Sequence, residues 1–266
     1  MRYRRQVRSP WLGVIGATAA LALTAACGHV EMPGPDALVL DGSVADAPAD
    51  APTPPMVVAA PRDHNTNAST LQVTLTVMPG TARYLLVALE IGSMCGDAGV
   101  ATVTSVSYGG VALERVAQIV GTACSQTATR SEQWGLVAPA VGTGDVVVML
   151  SDKVASLHVA ALLFTGISQT MPVRASQTGS GRSNSASVSV ASAVGDLVVS
   201  TVGNGDEVVA AGGGQDTVFI LPGSGNNTLD NSGASTKPGA SPMVAMDWKF
   251  NIADEWQMIV SSLRPQ

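Results

Sequence analysis

The chain has 266 residues, 46% hydrophobic, 4% aromatic and 13% charged, with a formal net charge of −6 at pH 7. That balance excludes a nucleic-acid binder, which needs a basic face to meet phosphates, and makes a poor surface for anionic lipid or polyanionic glycans. The three histidines, His29, His64 and His158, stand far apart in the chain and leave little material for histidine-based chemistry.

The first 26 residues read as a secretory signal. Arg2, Arg4, Arg5 and Arg8 precede the apolar run 11–26, and Leu23-Thr24-Ala25-Ala26 leads into Cys27. A basic start, a short apolar stretch and small residues at the cut mark a cleaved signal rather than a retained helix. A cysteine directly after the small residues predicts a bacterial lipoprotein, with residues 1–26 removed and Cys27 lipidated. Thr24 stands where an aliphatic residue is usual, so simple cleavage after Ala22 or Ala26 is the competing reading. Cysteine parity favours lipid. With Cys27 acylated, Cys95 and Cys124 remain as a pair, whereas a soluble product would carry an odd thiol. A disulfide between them would contribute about 3–4 kcal/mol in the chain-entropy model. Several acyl chains on Cys27 would anchor the protein far longer than one. Gly28, rather than Asp, resembles the signal for onward transport to the outer membrane, with the folded part periplasmic or surface-facing.

Loss of residues 1–26 removes four arginines and no acids, taking the formal charge to −10. Residues 27–61 then read as a disordered tether. Pro33, Pro35, Pro48, Pro52, Pro54 and Pro55 alternate with Asp36, Asp41, Asp46 and Asp50, with no lysine or arginine until Arg62. One sign of charge and little apolar content cannot offset the cost of ordering the chain, and prolines extend it.

Residues 62–266 read as one domain of short alternating strands. Candidates are Thr70–Val77, Tyr84–Ile91, Ala101–Tyr108, Val111–Ala117, Ser131–Val137, Asp145–Leu150, Ser156–Phe164 and Ala186–Ala191. Asp196–Val202, Thr217–Leu221, Met243–Phe250 and Trp256–Leu263 complete the set. β-branched residues in period-two runs bounded by Gly, Pro, Asn and Ser are the strand signal. In Leu71–Val77 the odd positions face a core and the even ones solvent. Gly109-Gly110 fits a two-residue hairpin turn, which needs positive φ. A dozen strands without a βαβ rhythm predict an all-β, antiparallel two-sheet sandwich, jelly-roll-like. Residues 203–241, rich in Gly, Ser and Asn, read as a long disordered or mobile loop.

In order along the chain come Val106-Ser107-Tyr108-Gly109-Gly110-Val111-Ala112-Leu113, Ser131-Glu132-Gln133-Trp134 and Gly144-Asp145-Val146-Val147-Val148. Phe164-Thr165-Gly166-Ile167, Gly195-Asp196-Leu197-Val198-Val199, Met246-Asp247-Trp248 and a closing Trp256–Leu263 strand follow, so that the series spans roughly residues 66–265. This series resembles a β-sandwich surface module of secreted bacterial proteins. The resemblance implies an extracellular accessory or adhesion-type module without an established reaction. The chain departs from it in carrying the module alone on a lipid tether, with Cys95 and Cys124 added.

No catalytic residue is assigned. There is no Gly-x-Ser-x-Gly elbow, and His158 in an apolar strand reads as a satisfied core histidine. Glu132 shares a strand face with Trp134 and reads as a structural partner of Arg130 or Arg115. Asp145 and Asp196 each follow a glycine at a strand start, where turn chemistry accounts for them. Weak ligand-binding candidates are Trp134, Trp248, Asp206 and Asp216. No metal site is assigned, and calcium on Asp206 and Asp216 is the one cofactor left open. The sequence thus reads as a membrane-anchored, non-enzymatic binding or adhesion protein for a glycan or an envelope protein. A polysaccharide hydrolase using a carboxylate pair and a purely structural envelope protein are the alternatives.

Overall fold

The computed structural model describes residues 53–94, 101–123, 127–223 and 229–266. In chain order the strands are β1 (Met56–Ala59), β2 (Arg62–Asn65), β3 (Ala68–Val77), β4 (Tyr84–Gly92), β5 (Val103–Tyr108) and β6 (Val111–Ala112). Next are β7 (Glu114–Ala123), β8 (Thr127–Val137), β9 (Gly142–Val154), β10 (Ser156–Thr165) and β11 (Val173–Ala191). The last are β12 (Leu197–Asn204), β13 (Val208–Ala211), β14 (Asp216–Leu221), β15 (Asn231–Pro238) and β16 (Met243–Leu263). Among the described residues there is no helix, and every strand pair is antiparallel. The all-β sandwich expected from the alternating runs is therefore present, with a third sheet added to the expected two.

The layers follow from what each strand can bury. A four-stranded sheet, β3-β9-β5-β6, covers one face of a middle sheet ordered β1-β10-β4-β8-β7, in which β2 also pairs β10. The third sheet, β11-β16-β12-β15-β14 with β13 on β16, covers the other face. β3 alternates buried and exposed positions, with Leu71, Val73, Leu75 and Val77 inside, because only one of its faces meets the core. β4 is buried at every position. Its odd residues Leu85, Val87, Leu89 and Ile91 face the four-stranded sheet, and its even residues Tyr84 and Leu86 face the third sheet. A strand covered on both faces needs a near-continuous apolar run, which β4 and β10 both have.

A further core lies within the third sheet. Asp254 pairs with Ser183 but Lys249 pairs with Ser185, so residues 250–253 of β16 drop out of the β11 ladder. Both halves of β16 then supply one cluster: Val244, Met246 and Trp248 from one, Met258 and Val260 from the other.

Several boundaries differ from the sequence reading. Met56–Ala59, placed in the tether, is a strand on β10. Val111–Ala117 is two strands, because Leu113 turns into the core and its N–H bonds Val106 O at 2.9 Å. Residues 203–241, read as a long loop, contain β13, β14 and β15. β15 escaped notice because Asn231–Pro238 has almost no apolar content. Its small residues are nonetheless buried between β12 and β14. The Gly109-Gly110 turn is as expected, with φ of 55° and 82° closing Tyr108 onto Val111.

Candidate functional site

Cys27, Cys95 and Cys124 lie outside the described residues, and with them the lipid site and the disulfide expected from the sequence. The other predicted site residues are not brought together. Trp248 is fully buried in the third sheet and donates its indole N–H to Ser200 Oγ at 3.0 Å. Trp134 is half-buried against the opposite core. Asp206 follows β12 and accepts the Ile252 N–H at 3.2 Å, while Asp216 is exposed at the start of β14. Among the described residues no three His, Cys, Asp or Glu side chains are grouped to hold a metal ion. Gly212–Gln215 forms a turn, stapled where Gln215 Nε2 donates to Asp247 O at 2.7 Å and its Oε1 accepts from Ser235.

The isolated carboxylates have structural partners. Glu132 is fully buried, accepting from Arg130 Nη1 at 2.9 Å and from Trp134 Nε1 at 2.8 Å. Arg115, the other partner expected from the sequence, lies over the Trp134 ring at 5.7 Å. Asp196 closes the turn before β12, accepting from Arg174, the Ala193 N–H and Ser262. Burial alone would raise its pKa, but the Arg174 hydrogen bonds and these other donors outweigh burial and hold it below the ordinary range.

A polar seam runs between the middle and third sheets. His64, His158, Glu90 and Ser131 are successive cross-strand partners on β2, β10, β4 and β8, so their side chains share one face. Glu90 is fully desolvated, and burial pushes its carboxyl up to about 8, against a lowering by the Ser131 hydroxyl. The Ser131 hydroxyl touches two acceptors, Glu90 Oε2 and Gln257 Oε1, the latter at 2.9 Å. Gln257 Nε2 is already donating to Thr129 Oγ1 at 2.7 Å, which aims its oxygen at Ser131. One hydroxyl proton cannot serve both acceptors. The hydroxyl therefore serves Glu90 Oε2 or Gln257 Oε1, and among the described residues the other carboxyl oxygen, Glu90 Oε1, is buried without a hydrogen-bond partner.

The same seam holds the residue types of a hydrolase triad. His158 Nδ1 is 3.0 Å from Ser232 Oγ, and its Nε2 is 3.8 Å from Asp230 Oδ1. Burial lowers the His158 pKa, against the raising effect of Asp230, and its ring stacks on His64 at 5.1 Å. All three residues are buried, and the cavity beside Glu90, His158 and Ser232 is only about 10 Å³. That is room for about one water and none for a substrate, so the constellation works as inter-sheet packing.

The open site lies elsewhere. A cleft of about 560 Å³ opens beside the β7 edge of the middle sheet. Tyr84 forms its floor, Glu114 and Val116 one wall, and Thr170-Met171-Pro172, leading into β11, the other. A register shift between Arg115 and Ala117 makes Val116 the extra residue of a β-bulge. Such bulges re-aim neighbouring side chains. Gly135 lies opposite Glu114, and a Cβ there would collide with the Tyr84 hydroxyl. The missing side chain is what gives the phenol its place. No hydrogen-bond partner for that hydroxyl is seen among the described residues. Burial raises the Tyr84 pKa, and the nearby Glu114 carboxylate raises it further. Glu114 is the one carboxylate lining this cleft. None of these residues was singled out from the sequence. They come from four distant segments, and the only local signal is that Tyr84 begins an apolar run.

No protein-family model, curated protein or solved structure matches this chain.

Proposed function

We propose that this protein is an exported lipoprotein, anchored at the outer membrane through Cys27, that presents a non-enzymatic β-sandwich for ligand binding. The observation that carries the binding role is the Tyr84 cleft. Its volume of about 560 Å³ lies within the range of small-molecule pockets, and its lining sets aliphatic side chains beside the polar groups of Tyr84, Glu114, Arg115 and Thr170. A single lining carboxylate supports binding over glycoside hydrolysis, which uses two. Aliphatic walls support an amphipathic ligand over a polyhydroxylated glycan. The acidic, proline-rich stretch after Cys27 supports presentation at a distance from the membrane.

The test is ligand screening by NMR on the purified protein beside a Val137→Trp variant, with and without calcium. Val137 is an exposed residue on the cleft lining, so tryptophan there should block the cleft while sparing the fold. Ligands that shift cleft resonances in the natural protein and not in the variant are expected. Binding that ignores Val137→Trp, or hydrolysis of a screened polysaccharide, would overturn the reading.

A further inference from the structure

The polar groups of the cleft are unequal in sign. Glu114 pairs directly opposite Gly135, so its carboxylate projects from the same face as the Tyr84 hydroxyl. Arg115, next in sequence, pairs opposite Trp134, and its guanidinium is held over that ring at 5.7 Å on the other face of β7. The bulge at Val116 follows at once, returning an apolar side chain to the cleft beside Glu114. Among the described residues no cation forms an ion pair with Glu114. The cleft lining also includes Arg115 and Thr170, but with the Arg115 guanidinium over Trp134 the polar end is set by the Glu114 carboxylate and the Tyr84 hydroxyl, with Val116, Val137, Met171 and Pro172 as the apolar side chains.

We propose that the ligand of this cleft is a protonated amine carried on an apolar body, its ammonium seated between Glu114 and the Tyr84 hydroxyl. This rests on the binding role argued above and assigns its ligand class. An ammonium has three donors and no acceptor, which matches a carboxylate that no cation pairs and a phenol oxygen still able to accept. The apolar body replaces water along the aliphatic walls, which is favourable in proportion to the area covered. The raised Tyr84 pKa, caused by burial and then by Glu114, is of the sign a cation would relieve. The excess of acids over bases in the chain steers a cation inward and turns an anion away. An anionic analogue would meet Glu114 directly and lose affinity by like-charge contact.

The experiment uses three probes with one apolar body, n-hexylamine, 1-hexanol and n-hexanoate, titrated into the purified protein by NMR at low salt. Hexylamine is expected to shift cleft resonances and bind about tenfold or more tighter than hexanol, a charge-assisted contact being worth about that factor. Hexanoate is expected to bind most weakly. Glu114→Gln, on an exposed strand position, should bring hexylamine down to the level of hexanol, and Tyr84→Phe should weaken hexylamine more than hexanol. Added salt should weaken hexylamine alone. Hexanol or hexanoate binding the cleft as tightly as hexylamine would overturn the amine assignment and leave the cleft as a binding site. If none of the three probes shifts a cleft resonance, the binding role falls as well.

Discussion

Glu90 and Ser131, cross-strand partners on β4 and β8, are joined by a hydrogen bond from the Ser131 hydroxyl to Glu90 Oε2. The same hydroxyl lies 2.9 Å from Gln257 Oε1, so the network ties β4 and β8 to β16. Desolvation raises the pKa of this buried carboxyl, and the Ser131 hydrogen bond offsets only part of that rise. Gly203 on β12 packs so closely over Glu90 Oε2 that a Cβ there would stand 2.7 Å from it. The two sheets are in contact over an acid whose charged form neither sheet can solvate.

The first prediction concerns pH. Glu90 has a folded pKa of about 8 against an ordinary 4.5, so its contribution to stability is fully present below about pH 4.5 and is lost as pH rises towards 8. His158, lowered by burial, contributes stability above about pH 6.5 that is lost as pH falls. The two slopes oppose below pH 6.5, and between 6.5 and 8 Glu90 is the group that dominates among the described residues. There stability should fall by about 1.4 kcal/mol per pH unit. Urea denaturation at both ends of that window tests this, and Glu90→Gln should flatten the profile. An equal slope in that variant would assign the dependence to another group.

The second prediction concerns Glu132. Its removal by Glu132→Ala leaves the Arg130 guanidinium, 12% exposed, and the Trp134 indole N–H without their shared acceptor. Breaking a buried pair from one side costs about 3–5 kcal/mol. A fall of that size in unfolding free energy is expected, with a red-shift of Trp134 emission as its N–H turns to water. A loss below about 1 kcal/mol would mean that the pair is hydrated in solution.

The third prediction concerns β15. A Cβ at Gly233 would stand 2.8 Å from Trp248 Cη2, and both positions are buried. Gly233→Ala should cost about 1–3 kcal/mol by overpacking. Trp248→Phe in the same chain should return part of that loss, giving a non-additive double-mutant cycle. Strict additivity would show that the two residues do not constrain each other.

The fourth prediction concerns anchorage. Cys27→Ser should move the protein from the membrane fraction to the soluble exported fraction and abolish incorporation of labelled palmitate. An inhibitor of lipoprotein signal peptidase should cause the unprocessed natural chain to accumulate. Unchanged processing under that inhibitor would require ordinary signal cleavage instead.

What could be read from the sequence depended on how far each residue's environment is local. β3 was legible down to its inward residues because one face meets water, and alternation records that directly. β4 and β10 were legible as strands, but a continuous apolar run is silent about what covers each face. β15 was illegible: Asn231-Ser232-Gly233-Ala234 carries no apolar signal, and its burial comes from neighbours such as Trp248, not from its own composition.

Local chemistry along the chain determined the antiparallel all-β class, the inward face of β3 and the positive-φ turn at Gly109-Gly110, since periodicity and glycine conformational freedom act over a few residues. Tertiary structure alone decided the third layer, the raised pKa of Glu90 and the cleft. Each depends on side chains far apart in sequence meeting at one place: Glu90 with Ser131 and Gln257, and Tyr84 with Glu114 and Met171. Desolvation and proton sharing are properties of those meetings, and no window of sequence contains them.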